Sequence, residues 1–342
     1  MTHAVTLIPG DGIGPEVTQA ARTVLDRCGA KIDWDLQPAG FKVGQDGGHP
    51  LPERVFASVA TTRVALKGPT ETPFGGSYRV TRSDRSYPSV SIALRKELQL
   101  FANVRPLKNF PGVASRFSGV DIVLFRENSE DLYLGRERMV DADTAEALKV
   151  ITRGATERMA RFSAKYMRRL NRTRITIGHK SNVLKLTDGL FLKAASDVLQ
   201  EFPDLSVDSR VIDALCMELV LKPESFDCLL LANLYGDIVS DLLAGVVGGL
   251  GLAPGANLGN DYAMFEAVHG TAPDIAGRDV ANPISMLLSA MMLLRHLGED
   301  VAAQRIEAAL GKVLVERKHV TRDLGGNAGT REMTDAIVAR LN

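Results

Sequence analysis

Residues 4–28 read AVTLIPGDGIGPEVTQAARTVLDRC. Ala4–Ile8 is aliphatic and β-branched, the composition of a strand. PGDGIG supplies a turn, and the stretch from Pro15 to Cys28 has helical character. Pro15 suits a first-turn position because the N–H it lacks has no intrahelical acceptor there. A strand, a glycine turn and a helix in immediate succession are the unit from which α/β proteins are built. Gly10, Gly12 and Gly14 stand where a dinucleotide fingerprint would stand, but the spacing is GxGxG and Pro15 occupies the third glycine's place. A tight strand-to-helix turn accounts for the spacing better than a Rossmann fingerprint does.

The alternation continues along the chain. Lys31–Leu36, Arg63–Leu66, Phe101–Arg105, Asp121–Phe125, Arg174–Ile177, Val207–Ile212 and Cys228–Leu231 read as strands. Val90–Leu100, Asp143–Leu170 and Ile284–Leu297 read as helices. The βαβα pattern predicts an α/β protein with an at least partly parallel sheet. Ser77–Ser89, with Arg79, Arg82 and Arg85, has no period and reads as a loop. His269–Pro283 reads as a long ordered loop whose small residues bring backbone N–H groups close to a phosphate.

A length of 342 residues predicts about two domains, yet no Pro/Ser-rich or charged linker divides the chain. A discontinuous domain explains that. Lys plus Arg and Asp plus Glu number 41 each, so no global charge draws the chain to nucleic acid or an anionic membrane. The longest apolar run, Ile284–Leu294, is too short to span a bilayer, and the N-terminus has no basic signal-like region. Cys28, Cys216 and Cys228 are odd in number and lie among apolar residues, so buried reduced thiols in a cytoplasmic protein are expected.

Several residues could carry chemistry. Asp237 and Asp241 are four apart on one face of a predicted helix, and Asp213 follows a strand. The three carboxylates suit a hard cation such as Mg²⁺ or Mn²⁺; acids near a helix N-terminus explain the pair equally well. Arg95, Arg105 and Arg126 emerge from apolar elements and need partners, either structural acids or a di- or tricarboxylate ligand. Lys180 closes a strand, as a solvated end or as a base. Tyr133 is a packing residue or a proton donor.

IPGDGIGPEV (8–17), KGPTETPFGG (67–76), ALRKELQLFANVRP (93–106), FRENSEDLY (125–133), HKSNVLKLTDG (179–189), NLYGDIVSD (233–241) and FEAVHGTAPDIAGRDVANP (265–283) together resemble the β-decarboxylating dehydrogenases. These are the isocitrate, isopropylmalate and homoisocitrate enzymes, and within them the chain is most similar to the NAD-type isocitrate dehydrogenases. The resemblance implies an α/β, two-domain, non-Rossmann fold. Its large cofactor-binding domain is discontinuous (1–103 and 250–342), and its small domain (104–249) carries the metal site and a dimer clasp. It implies oxidation of a 3-substituted malate at C2 and loss of the C3 carboxylate, with NAD and Mg²⁺ or Mn²⁺, in a homodimer with shared sites.

By the same resemblance Arg95, Arg105 and Arg126 hold substrate carboxylates, with Ser89, Ser91 and Asn182 nearby. Tyr133 protonates the enol, and Lys180 accepts the C2 hydroxyl proton from across the dimer. Asp237 and Asp241 hold the metal with the partner's Asp213. Ile13, Glu71, Thr72, His269, Gly270, Thr271, Ala272, Asp274, Ile275 and Asn282 contact the cofactor. Ser89–Val90–Ser91 replaces the Ser-x-Asn of isocitrate-specific members, and the segment before Ser89 is longer than theirs. Homoisocitrate, isopropylmalate, tartrate or a phosphonate analogue of isocitrate are therefore rival substrates, and a non-catalytic regulatory subunit is the rival of another class. The Arg79–Arg85 segment is then either a basic lid or a surface insertion.

NADP-using members carry Lys–Tyr where this chain has Asp274–Ile275, and an aspartate repels a 2′-phosphate. Asp274→Lys with Ile275→Tyr is expected to lower kcat/KM for NAD⁺ and raise it for NADP⁺. Initial rates with each dinucleotide measure this, and a wild type preferring NADP⁺ would contradict the assignment.

Overall fold

The computed structural model describes residues 2–75 and 78–341. The glycine turn lies between β1 (Thr2–Ile8) and α1 (Gly14–Leu25), with Pro15 in the helix's first turn. β2 (Lys31–Leu36) pairs parallel to β1 in register from Thr2 with Lys31. After α2 (Phe41–Gln45) and α3 (Glu53–Thr62), β3 (Val64–Lys67) pairs on the other side of β1.

Residues 80–87 form a hairpin of β4 (Val80–Arg82) and β5 (Arg85–Tyr87), so the segment read as a loop has paired strands; Gly76 and Ser77 lie outside the described residues. α4 (Val90–Glu97) follows, capped by the Ser89 hydroxyl, which accepts from Ile92 N at 3.1 Å. β6 (Ala102–Lys108) and β7 (Asp121–Glu127) pair antiparallel.

β8 (Glu137–Met139) and β9 (Ala145–Ala147) form a second, exposed hairpin. The helix expected from Asp143 starts only at Arg153, as α5 (Arg153–Arg169). The charged residues before it have helical periodicity, but Thr152 stops the helix. Its hydroxyl accepts from Ala155 N, and Glu130 holds Thr152 through both its amide (2.7 Å) and its hydroxyl (2.8 Å).

The pattern then repeats through β10 (Arg174–His179), α6 (Thr187–Leu199), β11 (Ser206–Val211), α7 (Ile212–Leu221), β12 (Cys228–Leu231) and α8 (Asn233–Val247). Two further strands, β13 (Pro254–Leu258) and β14 (Ala263–Ala267), were not legible as such. Both are buried throughout and show no alternation, and PGANL opens on a proline, which a strand tolerates at its first residue. α9 (Ile284–His296), α10 (Asp300–Glu316) and α11 (Thr330–Val338) complete the fold.

One ten-stranded sheet runs in the order β11-β10-β12-β7-β6-β13-β14-β3-β1-β2. Its four central strands, β7, β6, β13 and β14, are antiparallel, and the wings on either side are parallel. One wing uses residues from the first 67 and from 263–267, the other residues 121–231. The chain ends thus meet in one half of a mixed α/β fold. The apolar run Ile284–Leu294 is core: all eleven residues of that stretch in α9 are buried. Among the described residues no helix is long and apolar enough to cross a membrane. Cys28 and Cys228 are buried free thiols, whereas Cys216 is only half-buried, a departure from expectation that follows from its place on the partly exposed α7.

The 80–87 hairpin is tied down by acids of its own chain. Arg82 forks onto Glu53 (2.7 and 3.1 Å), pairs with Glu97 and lies over the Phe56 ring. Arg85 reaches Glu97 at 3.2 Å, Tyr87 donates to the same carboxylate, and Arg79 meets Ser86 at 3.3 Å. Burial alone would raise the Glu97 carboxyl, but hydrogen bonds from Tyr87 and Arg82 outweigh it and hold it below its ordinary value. The stabilisation is therefore complete above the unfolded-state value of about 4.3 and is lost as pH falls through the lower folded value. Glu97→Gln is expected to cost about 1–3 kcal/mol at neutral pH, read as a lower urea midpoint, and the gap from wild type should close in acid.

Candidate active site

Among the described residues, Lys67 and Arg126 are the two largest fully buried side chains. Arg126 lies on β7 at one end of the sheet's antiparallel centre and Lys67 on β3, just beyond the other end, and buried cations require compensation. Lys67, on β3, donates to Glu266 of β14 at 2.7 Å and to the Gly68 carbonyl at 3.1 Å. Arg95, from α4, meets the other Glu266 oxygen at 2.8 Å. Burial opposes ionisation of Glu266, yet Lys67 and Arg95 hold its carboxyl far below the ordinary range. Glu266 in turn keeps the Arg95 guanidinium charged against its desolvation.

The second half of the cluster lies on β6, β7 and α8. Arg126 donates to Asn233 at 2.9 Å and pairs with Asp237, and its guanidinium stands 4.8 Å from the Tyr133 ring centroid. Gly236 makes room for it: a Cβ there would lie 2.6 Å from Arg126 Cγ. Arg105 donates to Asn103 at 2.9 Å and to Ser240, and stands 3.5 Å from both Asp237 and Asp241. Desolvation, with repulsion from Arg126, pushes Arg105 down to about 10. Burial opposes the charge of Asp237, but Arg126 and Arg105 prevail and lower it. Asp241 is raised, by burial and by Asp237, despite Arg105.

The cation that relieves the Asp237–Asp241 repulsion within this chain is therefore a guanidinium. Tyr133 donates to Asp237 from a short 3₁₀ turn, Asp131–Leu134. Its hydroxyl is held protonated, by burial first and by Asp237, against Arg126. The structure thus brings together Arg95, Arg105, Arg126, Tyr133, Asp237 and Asp241. A cavity of about 190 Å³ opens beside Arg95 and Arg105, lined also by Lys67, Thr70, Ser91 and His269. Arg95 Nε and Arg126 Nη2 are buried without a hydrogen-bond acceptor. Unmet N–H donors of this kind suit a carboxylate.

Lys180 and Asp213 are elsewhere. Lys180 pairs with Asp213 at the ends of β10 and β11, and Asp213 is 68% exposed. Asp213 therefore does not join Asp237 and Asp241 within one chain; among the described residues no three His, Cys, Asp or Glu side chains are grouped to hold a metal. Asn182 is exposed beside Val183 and Leu186, which expose 63% and 88% of their surface. Ser91 shares a hydrogen bond with Thr70 at 3.0 Å, and Ser89 spends its hydroxyl on the α4 cap.

The glycine turn knits two loops together. Asp11 accepts from Phe41, Lys42 and Glu71 amides at 2.9, 3.0 and 2.8 Å, and Ile13 N donates to the Thr271 carbonyl at 2.8 Å. A Cβ at Gly12, where φ is +57°, would lie 2.0 Å from that carbonyl. The turn is thus a close-packed joint that bonds the Glu71 amide on one side and the Thr271 carbonyl on the other, while Thr72 is exposed. His269 Nε2 is buried without an acceptor, and burial lowers the ring's basicity. Gly270 and Asp274 are exposed, Ala272 takes φ +38°, and Ile275 packs on the core. Asn282 bonds Asp323 at 2.8 Å and accepts from Ile284 N at 2.9 Å.

Sequence reading missed Lys67, Glu266, Asn103 and Ser240. Lys67 ends a buried strand and Glu266 is the last residue but one of another, both within quoted motifs, so a charge near the end of an apolar strand was the available signal. Asn103 and Ser240 had none, because small polar residues are common in every element.

The isocitrate/isopropylmalate dehydrogenase family matches residues 4–337. The probable alpha chain of a mitochondrial NAD isocitrate dehydrogenase of Drosophila melanogaster is 42% identical over 340 residues, 99% of this chain and 88% of that protein. A mitochondrial NAD isocitrate dehydrogenase regulatory subunit of Dictyostelium discoideum is 42% identical over 338 residues, 98% of this chain and 91% of that one. The crystal structure of isocitrate dehydrogenase from Methylococcus capsulatus is 45% identical, covers 99% of both chains and superposes with a TM-score of 0.93. The chain belongs to the isocitrate/isopropylmalate dehydrogenase family, and it is an NAD-dependent decarboxylating dehydrogenase.

Proposed function

We propose that the protein oxidises and decarboxylates isocitrate to 2-oxoglutarate and CO₂, with Mg²⁺ or Mn²⁺ and with NAD⁺ as hydride acceptor. The observation that carries the reading is the convergence of Arg95, Arg105 and Arg126 on one buried site, two of them with unmet donors. Bound NAD⁺ would supply the hydride acceptor, and a divalent ion would supply Lewis acidity.

The residues present fit both groups. The unpaired His269 nitrogen and the tight Gly12–Thr271 joint form one side of a cofactor cradle. Asp237 and Asp241 offer two hard oxygen donors from one helix face, to which the partner's Asp213 would add the third. The three arginines fix substrate carboxylates, so the carbon to be oxidised is oriented before reaction. Tyr133, kept protonated, can deliver a proton to the enol carbon. The partner's Lys180 would accept the hydroxyl proton; within its own chain Lys180 pairs with Asp213, whereas Tyr133 donates to Asp237.

We further propose the homodimer with shared sites, and the division into a discontinuous domain (1–103 and 250–342) and an inserted one (104–249). The two wings of the sheet support that division. The cytoplasm is the compartment proposed; the free thiols fit a reducing one, and the names of the mitochondrial relatives supply the alternative. A regulatory role is the second reading, favoured by the relative so named. Against it stand Lys180, Tyr133, Asp213, Asp237 and Asp241, all present as reactive side chains.

NADH formation with isocitrate, homoisocitrate, 3-isopropylmalate, tartrate and 3-phosphonomethylmalate tests the substrate. Isocitrate should give the highest kcat/KM, and a better rival would replace it. EDTA should abolish turnover and Mg²⁺ or Mn²⁺ restore it, whereas full activity in EDTA would refute the metal. Mixed Lys180→Met and Tyr133→Phe chains, each inactive alone, should regain activity as hybrid dimers. No recovery despite demonstrated exchange of protomers would refute the shared site.

A further inference from the structure

Outside the arginine cluster lies a second group of buried charges, absent from every role described so far. Lys149, between β9 and α5, is only 12% exposed, and its Nζ stands 3.1 Å from Asp131 Oδ1 and 3.3 Å from Asp188 Oδ1. Those two oxygens have no hydrogen bond of good geometry, so the ammonium meets them as an ion pair rather than as an aligned donor. Asp131 is wholly buried and Asp188 nearly so. Lys149 also stands 4.4 Å from the Tyr235 ring centroid.

The remaining oxygens of the two carboxylates are bound to elements that carry the active-site groups. Asp131 Oδ2 accepts from Leu234 N at 3.0 Å, at the start of α8, three residues before Asp237. Asp131 itself opens the turn that presents Tyr133, with φ at +73°. Asp188 Oδ2 accepts from the backbone amide of Lys180 at 2.7 Å and from the Tyr235 hydroxyl at 3.0 Å.

One ammonium therefore compensates two buried carboxylates. One of these fixes the Tyr133 turn to the Asp237 helix; the other fixes the backbone of Lys180. We infer that Lys149 is a positioning residue for the reaction: it holds the two proton-transfer groups, Tyr133 and Lys180, in register through Asp131 and Asp188. Without it two buried carboxylate oxygens that meet one nitrogen, at 3.1 and 3.3 Å, would face each other uncompensated and repel. That repulsion releases both anchors at once. If the dimer shares its sites, Lys149 also links the Tyr133 of one site to the Lys180 that serves the other.

The inference rests on the proposed reaction, and the two can fail separately. Wild type that forms no NADH with any malate of the panel refutes the reaction, whereas an active wild type and an equally active, folded Lys149→Met refute only the role of Lys149. Lys149→Met is expected to lower kcat with isocitrate about a hundredfold, the scale of a misplacement near 1 Å. Its Kd for NAD⁺ and KM for isocitrate should stay within about twofold, because the arginines and the 269–272 loop are untouched. Lys149→Arg, which keeps the charge, should recover most of kcat. Loss of kcat with an equal loss of NAD⁺ binding, unrecovered by arginine, would overturn the inference in favour of a merely structural role. Should Lys149→Met fail to fold, Tyr235→Phe removes one donor from Asp188 and keeps the ring. It is expected to lower kcat about tenfold at unchanged KM, and wild-type kcat there would overturn the inference.

Discussion

A guanidinium with 1% of its side chain exposed stays charged only if its surroundings supply acceptors, and Arg126 sets that condition for the site. Asn233 and Asp237 answer it from α8, Gly236 gives the room, and Tyr133 presents its ring face. The register of α8 against β7 is thereby fixed, and Asp241, one turn on, comes to stand beside Arg105. Removing one acid from such a network would leave a buried cation uncompensated, which costs more than the contact itself contributes. The cluster is satisfied in most of its bonds and left open at two nitrogens. Those two are where binding energy for an anionic substrate remains to be gained.

The same logic separates the basic residues that can act on a ligand from those that cannot. Arg82 and Arg85 looked suited to a polyanion because they lie just before the α4 serines. In the fold they are spent on Glu53 and Glu97, and they pin a hairpin to α3 and α4. Those pairings brace the hairpin, while Arg79, the third arginine of the segment, bonds the Ser86 hydroxyl rather than an acid. Arg95, thirteen residues beyond Arg82, shares its acid with Lys67 and keeps one donor free. Charge count in a segment says little; what matters is which carboxylates the tertiary fold delivers to it.

The parallel wings were legible because most strands there are short apolar or β-branched runs soon followed by a helical stretch. Two of the four central strands were not: Pro254–Leu258 and Ala263–Ala267 are short, buried throughout and poor in β-branched residues, so neither alternation nor propensity marks them. The Asp143–Leu170 stretch misled in the opposite direction, since charge periodicity there belongs partly to an exposed hairpin and Thr152 decides where the helix starts. Of the site, the arginines, Tyr133 and the α8 acids could be named from their motifs. Lys67, Glu266 and the Lys149 group could not, because their roles exist only once residues far apart in sequence are in contact.

That remoteness bears on how the protein is made. Lys67 and Glu266 are separated by 199 positions, and β14 is the strand that covers the open side of β3. At about 5–20 residues per second of synthesis, β3 waits roughly 10–40 s for its partner. During that interval the nascent chain holds a lysine at the end of a buried-type strand, with neither its counter-ion nor its neighbouring strand yet made. The charge keeps that bare edge hydrated and discourages pairing with another chain, as lysines on edge strands do. A residue that looks expensive in the finished core is thus a protection in the unfinished one.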